Sequence, residues 1–135
     1  MRMGARFADE YNVTGTGPDE IGAKYARLAE ACRAIDRDPE SLARSAMVST
    51  LIGRDQAAVD RRVNALMARI GAQDAGNAQE WLAARRSKWI LGTYDEARET
   101  IRRFEEAGVQ RLMLQDLYPW DRDMIREMGE HLVHA

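Results

Sequence analysis

The sequence predicts an α/β fold, a parallel sheet flanked by helices. Two observations carry that reading. Short apolar runs, SAMVSTLIG and VQRLML, lie between segments of helical period. The order of elements is strand, helix, strand, helix, helix, helix, strand, helix, and such alternation marks βαβ units.

Each element has a local reason. Ala5 to Asp9 read as the last turn of a helix, and Glu10–Thr14 (EYNVT) as a short strand leading into the loop of Gly15 and Gly17. Pro18, Asp19 and Glu20 open a helix over 18–35. Proline lacks a donor that the first turn does not use, and carboxylates favour the positive end of the helix dipole. Ile21, Tyr25, Leu28, Ala29, Cys32 and Ile35 form its apolar stripe. Asp38-Pro39-Glu40 starts a very short helical turn. The run Ala46–Leu51, with Ile52 and Gly53 after it, reads as a strand covered on both faces.

Asp55 caps the next helix, whose stripe is Val59, Val63, Leu66, Met67 and Ile70 and whose stop is Gly71. Asp74 to Asn77 is a surface loop. Asn77 and Glu80 begin a helix over 78–87 with Trp81 and Leu82 to bury. KWILGT follows as a short apolar stretch. Thr93 and Glu96 make a T-x-x-E capping box, Ala97, Ile101, Phe104 and Ala107 pack, and Gly108 ends that helix. Val109–Leu114 reads as a strand, and Asp121 opens a last helix with Met124, Ile125, Met128 and Leu132 on one side.

The bulk numbers exclude several classes. The 135 residues fit one domain, 1–135, with 45% hydrophobic and 31% charged side chains. A net charge of −2 argues against a nucleic-acid or membrane-surface binder. The single cysteine makes no intrachain disulfide, so a reducing cytoplasm is the expected setting. No apolar run approaches the ~20 residues of a membrane span. His131 and His134 fall in the last five residues, where a frayed tail is expected. The Arg pairs at 61–62, 85–86 and 102–103 read as solvated helix faces. No Ser/His/Asp set, metal-spaced cluster or phosphate-binding loop of the G-x-x-x-x-G-K type is present.

Three stretches, ARFADEYNVTG, DPESLARSAMVSTLIGRD and KWILGTYDEARETIRRFEEAGVQRLMLQ, resemble the C-terminal part of luciferase-like oxidoreductases. The likeness is nearest to members that use the deazaflavin coenzyme F420. It covers nearly the whole chain and departs from the family at Tyr94, where proline is usual. The resemblance implies a partial (β/α)8 barrel, with Glu10–Thr14, Ala46–Leu51 and Val109–Leu114 as the sixth to eighth strands. The helix at 78–87 becomes an insertion after the seventh strand. The family's glycine-rich phosphate segment and its early strands would precede Met1. The resemblance therefore implies an incomplete site for F420 (alternatively FMN), weak or absent turnover alone, and a sheet with an exposed edge and one apolar face. Such a sheet calls for a cover: a homo-oligomer, or a separate N-terminal barrel half.

Barrel enzymes place chemistry at the C-terminal strand ends. Those ends carry Asn12, Val13 and Thr14, then Ser49 and Thr50, then Gln115 and Asp116. By resemblance Thr14 helps bind a substrate phosphate; its other reading is a loop hydroxyl capping a helix. The family members that act on sugar phosphates carry a lysine where this chain has Gly17. Arg122 is placed to meet an anion at the barrel mouth, or is a solvated first-turn residue. Trp89 lines a substrate pocket or packs in the core. Gln115 bonds a cofactor or substrate edge or caps its strand. Asp9–Glu10 takes a structural role. Two functions follow: a fragment of an F420- or flavin-dependent oxidoreductase acting on a small organic molecule, or a non-catalytic oligomerising α/β module descended from one.

Overall fold

The computed structural model describes residues 1–72 and 77–133, so residues 74–76 of the expected surface loop, and His134, lie outside the described residues. In chain order the elements are α1 (Arg2–Phe7), β1 (Glu10–Thr14), α2 (Pro18–Arg33), a 3-10 turn at Pro39–Ser41, β2 (Ala43–Gly53), α3 (Gln56–Arg69), α4 (Ala78–Ala83), β3 (Ile90–Thr93), α5 (Tyr94–Glu106), β4 (Arg111–Asp116) and α6 (Arg122–Leu132).

All four strands are parallel, and β2 is the centre. Its Ala43–Met47 half pairs with β1 and its Thr50–Gly53 half with β3. β4 pairs along Ser45–Thr50 and so overlaps both. Therefore β1 and β3 lie end to end on one side of β2, with β4 on the other. Residues in register point to the same face. One face carries Val13, Ala46, Val48, Ile52, Leu112 and Leu114 and packs under the helices, where Ile21, Leu28, Val59, Val63, Phe104 and Met124 are at most 3% exposed.

The opposite face corrects an expectation. It is not apolar. It presents Glu10, Asn12 and Thr14 from β1, Ser45, Met47 and Ser49 from β2, and Arg111, Met113 and Gln115 from β4. Most of these are small or polar; Ser45 is fully buried among them, and where β2 meets β3 the same face carries Leu51 and Leu91, 1% and 4% exposed.

Several boundaries also move. The first helix spans Arg2–Phe7 rather than ending at Asp9, because Asp9 lies in the bend before β1 and its carbonyl takes the Ala43 N–H at 2.9 Å. β2 is longer than the apolar run, since β1 pairing begins at Ala43. β4 starts two residues later than Val109, which is buried in the turn after Gly108; the Gln110 N–H bonds the Arg44 carbonyl at 2.9 Å and the ladder begins at Arg111. The helix from Ala78 stops at Ala83, and Ile90–Thr93, read only as an apolar stretch, is a fourth strand.

The caps are those the sequence indicates. The Asp55 carboxylate accepts from Ala58 N at 2.7 Å, Asn77 from Glu80 N at 3.0 Å and Asp121 from Met124 N at 2.9 Å. The Thr93 N–H donates to the Glu96 carboxylate at 2.8 Å. Gly108, at φ 92°, makes the left-handed turn into β4. Tyr94, where the resembled family has proline, stacks on His131 with ring centroids 4.0 Å apart. His131 thus belongs to an ordered helix, not to a frayed end.

Candidate functional site

The C-terminal strand ends converge where β1 gives way to α2, β2 to α3 and β4 to α6. On the open face Asn12 donates to the Ser45 hydroxyl at 3.0 Å, and Ser49 donates to the Gln115 amide oxygen at 3.2 Å. Both pairs bridge neighbouring strands, and Asn12 and Gln115 are exposed. Lower on the same face Arg111 reaches across β2 to Glu10 at 2.7 Å, giving the Asp9–Glu10 region a structural role. The result is a row of neutral donors and acceptors whose hydroxyls bond amides rather than a general base among the described residues. Such a row can hydrogen-bond the edge of a planar heterocycle or fix a polar substrate; its hydroxyls have no base beside them to activate them as nucleophiles among the described residues.

Thr14 ends β1 with an exposed side chain, and its carbonyl accepts from the Thr16 hydroxyl at 3.3 Å. The Lys24 ammonium also bonds Thr16, which brings a cation beside this loop. Sequence reasoning missed Lys24, although it lies about two helical turns into α2 and so on the side of that helix's start. Gly17 faces the backbone of the segment before β3: a Cβ there would stand 1.7 Å from the Ser87 carbonyl oxygen. A side chain at position 17 has no room.

The remaining expected residues scatter. Thr50 is 1% exposed, on the helix-covered face, with its hydroxyl bonded to the Val48 carbonyl at 3.1 Å. That placement removes it from the open face and makes it a packing group of the sheet. Trp89 is half-buried, edge-on to Trp81 at 5.4 Å, with the Arg85 guanidinium 3.7 Å over the Trp81 ring. Arg85 is therefore not a solvated helix-face charge. Arg122 is exposed and, among the described residues, has no ion-pair partner.

Arg62 is the charged residue the sequence hid. Its side chain is 11% exposed. It bonds Asp121 at 2.7 Å, Glu127 at 2.6 Å and the Ile52 carbonyl at 2.8 Å, tying α3 and the end of β2 to α6. Burial pushes the Asp121 carboxyl up, but the Arg62 guanidinium and the Met124 N–H outweigh it and hold the group below its ordinary value. A cavity of about 420 Å³ lies between α3 and α6, walled by Arg54, Arg61, Arg62, Tyr118, Asp121 and Glu127. It sits in the helix layer, apart from the open face.

Asp116, paired in register with Thr50, also lies on the helix-covered face. One carboxylate oxygen accepts the Tyr118 N–H at 2.7 Å; the other is buried without a partner among the described residues. Burial raises its pKa, the Tyr118 bond opposes that, and Asp121 adds to it. The folded value lies above the unfolded one, so the native state holds the proton more tightly and stability falls as pH rises through that window. Asp116→Asn removes this penalty. The variant should melt at or above the wild-type temperature at pH 7 and lose that margin near pH 4, the ordinary carboxylate range. Thermal melts at both pH values check it; a variant less stable at pH 7 than at pH 4, relative to wild type, would contradict it.

No family model matches the chain, and no curated protein does. Solved structures do. The coenzyme F420-dependent tetrahydromethanopterin reductase from Methanopyrus kandleri superposes over 98% of this chain and 46% of its own length, with TM-score 0.68 and 15% identity. A long-chain alkane monooxygenase matches over 98% of this chain and 37% of its own, with TM-score 0.71 and 14% identity. The chain has the luciferase-like fold. The EDTA monooxygenase from Chelativorans sp. BNC1 agrees, with TM-score 0.69 and 18% identity over 98% of this chain and 42% of its own. The chain spans less than half the length of these structures, as a segment of the luciferase-like (β/α)8 barrel does. Among the described residues no helix is long and apolar enough to cross a membrane.

Proposed function

We propose that the chain is the C-terminal strand–helix segment of an F420- or FMN-dependent luciferase-like oxidoreductase that acts on a small organic molecule. The observation that supports this best is the open face. In the luciferase-like fold it corresponds to the barrel interior, and here it carries Asn12, Thr14, Ser49 and Gln115 toward the C-terminal strand ends. Small polar side chains of this kind fit the donor and acceptor edge of a flavin or deazaflavin ring. When bound, such a cofactor supplies the hydride chemistry; the protein orients it and excludes water. In this reading Asn12 and Gln115 trade their partners Ser45 and Ser49 for the ring edge, Thr14 bonds a polar group of the substrate, and Arg122 meets an anionic one. Trp89 stands by the insertion before β3. The sealed position at Gly17 argues against a sugar phosphate as substrate. Four strands do not close an eight-stranded barrel, so turnover draws on further strands, from a second copy or from the N-terminal half of the barrel. The buried, unpaired Cys32 supports a reducing, cytoplasmic setting.

A second reading, a non-catalytic assembly module, draws support from the same face. Its polar groups already satisfy one another through Asn12–Ser45, Ser49–Gln115 and Glu10–Arg111. Titration with F420 and FMN, each oxidised and reduced, separates the two. Tryptophan fluorescence should quench saturably at micromolar ligand if the oxidoreductase reading holds. Fluorescence unmoved at every ratio would favour the module.

A further inference from the structure

The two edges of the open sheet carry unlike and complementary surfaces. Among the described residues β1 and β4 each pair with β2 alone, so each leaves one edge of backbone N–H and C=O groups free. Beside β1, α1 packs through Gly4 against Tyr11, and it leaves Met3 and Phe7 71% and 66% exposed, one helical turn apart. Arg2 and Arg6 flank them. Beside β4, Ile101, Phe104, Val109 and Leu112 line a cavity of about 190 Å³, rimmed by Glu105. A cavity of about 150 Å³ accommodates a benzene ring, so this one has the volume for the ring of a phenylalanine. Among the described residues Arg2, Arg6 and Glu105 have no ion-pair partner.

We propose that the chain pairs with a second copy of itself through these edges. Phe7 of one copy seats in the Ile101–Leu112 cavity of the other, Arg6 faces Glu105, and β1 of one copy lies along β4 of the other. The contact joins two different patches, so two such joints related by a twofold axis close the pair and leave neither edge free. This names the partner in the open-barrel reading above and rests on that reading; it does not depend on cofactor binding, which is titrated separately on the monomeric variants.

Sedimentation equilibrium tests it. The wild type should be a dimer. Phe7→Glu and Glu105→Arg, both at exposed positions and checked for wild-type circular dichroism, should each be monomeric. An equimolar mixture should recover a heterodimer, because the Glu105→Arg copy keeps a sound Phe7 and the Phe7→Glu copy keeps a sound cavity. The double variant Arg6→Glu/Glu105→Arg should regain the wild-type mass by restoring the charge pair. A monomeric wild type would overturn the proposal. A Phe7→Glu variant that stays dimeric, or a mixture that stays monomeric, would overturn the joint.

Discussion

Arg62→Ala should destabilise the chain by about 3–5 kcal/mol, the range for breaking a buried ion pair from one side. The guanidinium holds two carboxylates and a backbone carbonyl at once. Asp121 and Glu127 are themselves only 21% and 19% exposed. Removing Arg62 leaves both without their counter-charge, and it frees the start of α6 from α3. Arg62→Lys keeps the charge but loses the planar fork, and cannot reach three acceptors in the same geometry. It should fall between the two. Urea denaturation checks the order wild type, lysine, alanine; an alanine variant within about 1 kcal/mol of wild type, the worth of an exposed pair, would show that Arg62 is effectively solvated. The linkage has a sign. Asp121 is held below its ordinary value, so its contribution is present above the ordinary carboxylate range and is lost as pH falls through the lowered value. That acid-side loss should be smaller in Arg62→Ala.

Gly17→Ala should cost about 3 kcal/mol, the upper end for forcing atoms into packed space. The backbone at Gly17 is ordinary extended chain, φ −83°, so the cost is steric, not conformational. A Cβ would meet the Ser87 carbonyl oxygen at 1.7 Å and its carbon at 2.8 Å, both backbone atoms. The segment from Ala84 to Trp89 must therefore move, and with it the Trp81–Trp89 contact. A shift in tryptophan emission should accompany the loss of stability. Gly15→Ala is the control: it has open space for a Cβ and only its positive φ of 61° to oppose it. Position 15 should cost about 1 kcal/mol, the scale of a left-handed alanine, and leave the emission unchanged.

Much of the frame was legible because it is written in local grammar. β1 falls where EYNVT predicts it, Asp55, Asn77, Thr93 and Asp121 open helices through bonds within three residues, and Pro18 opens α2 from its first position without a side-chain cap. Arg62 was not legible. Its partners lie 59 and 65 residues away, and a second arginine at 61 made the pair resemble a solvated face. The face that Thr50 takes was hidden for a related reason. It shares its strand with Ser49, but the pleat turns alternate residues to opposite faces, and a continuous apolar run does not say which face is open. The β4 sequence RLMLQ did hold a usable signal. Its alternation of Arg111, Met113 and Gln115 with Leu112 and Leu114 is that of a half-exposed strand, which foretells the polar open face.

The central claim, that the open face at the C-terminal strand ends holds a flavin-like ring, is tested most directly by backbone amide chemical-shift mapping during titration with oxidised F420 or FMN. Shifts should cluster at Asn12, Thr14, Ser49 and Gln115 and leave Arg61 and Arg62 unmoved. Shifts confined to the cavity between α3 and α6, or scattered over the helix surface, would contradict it.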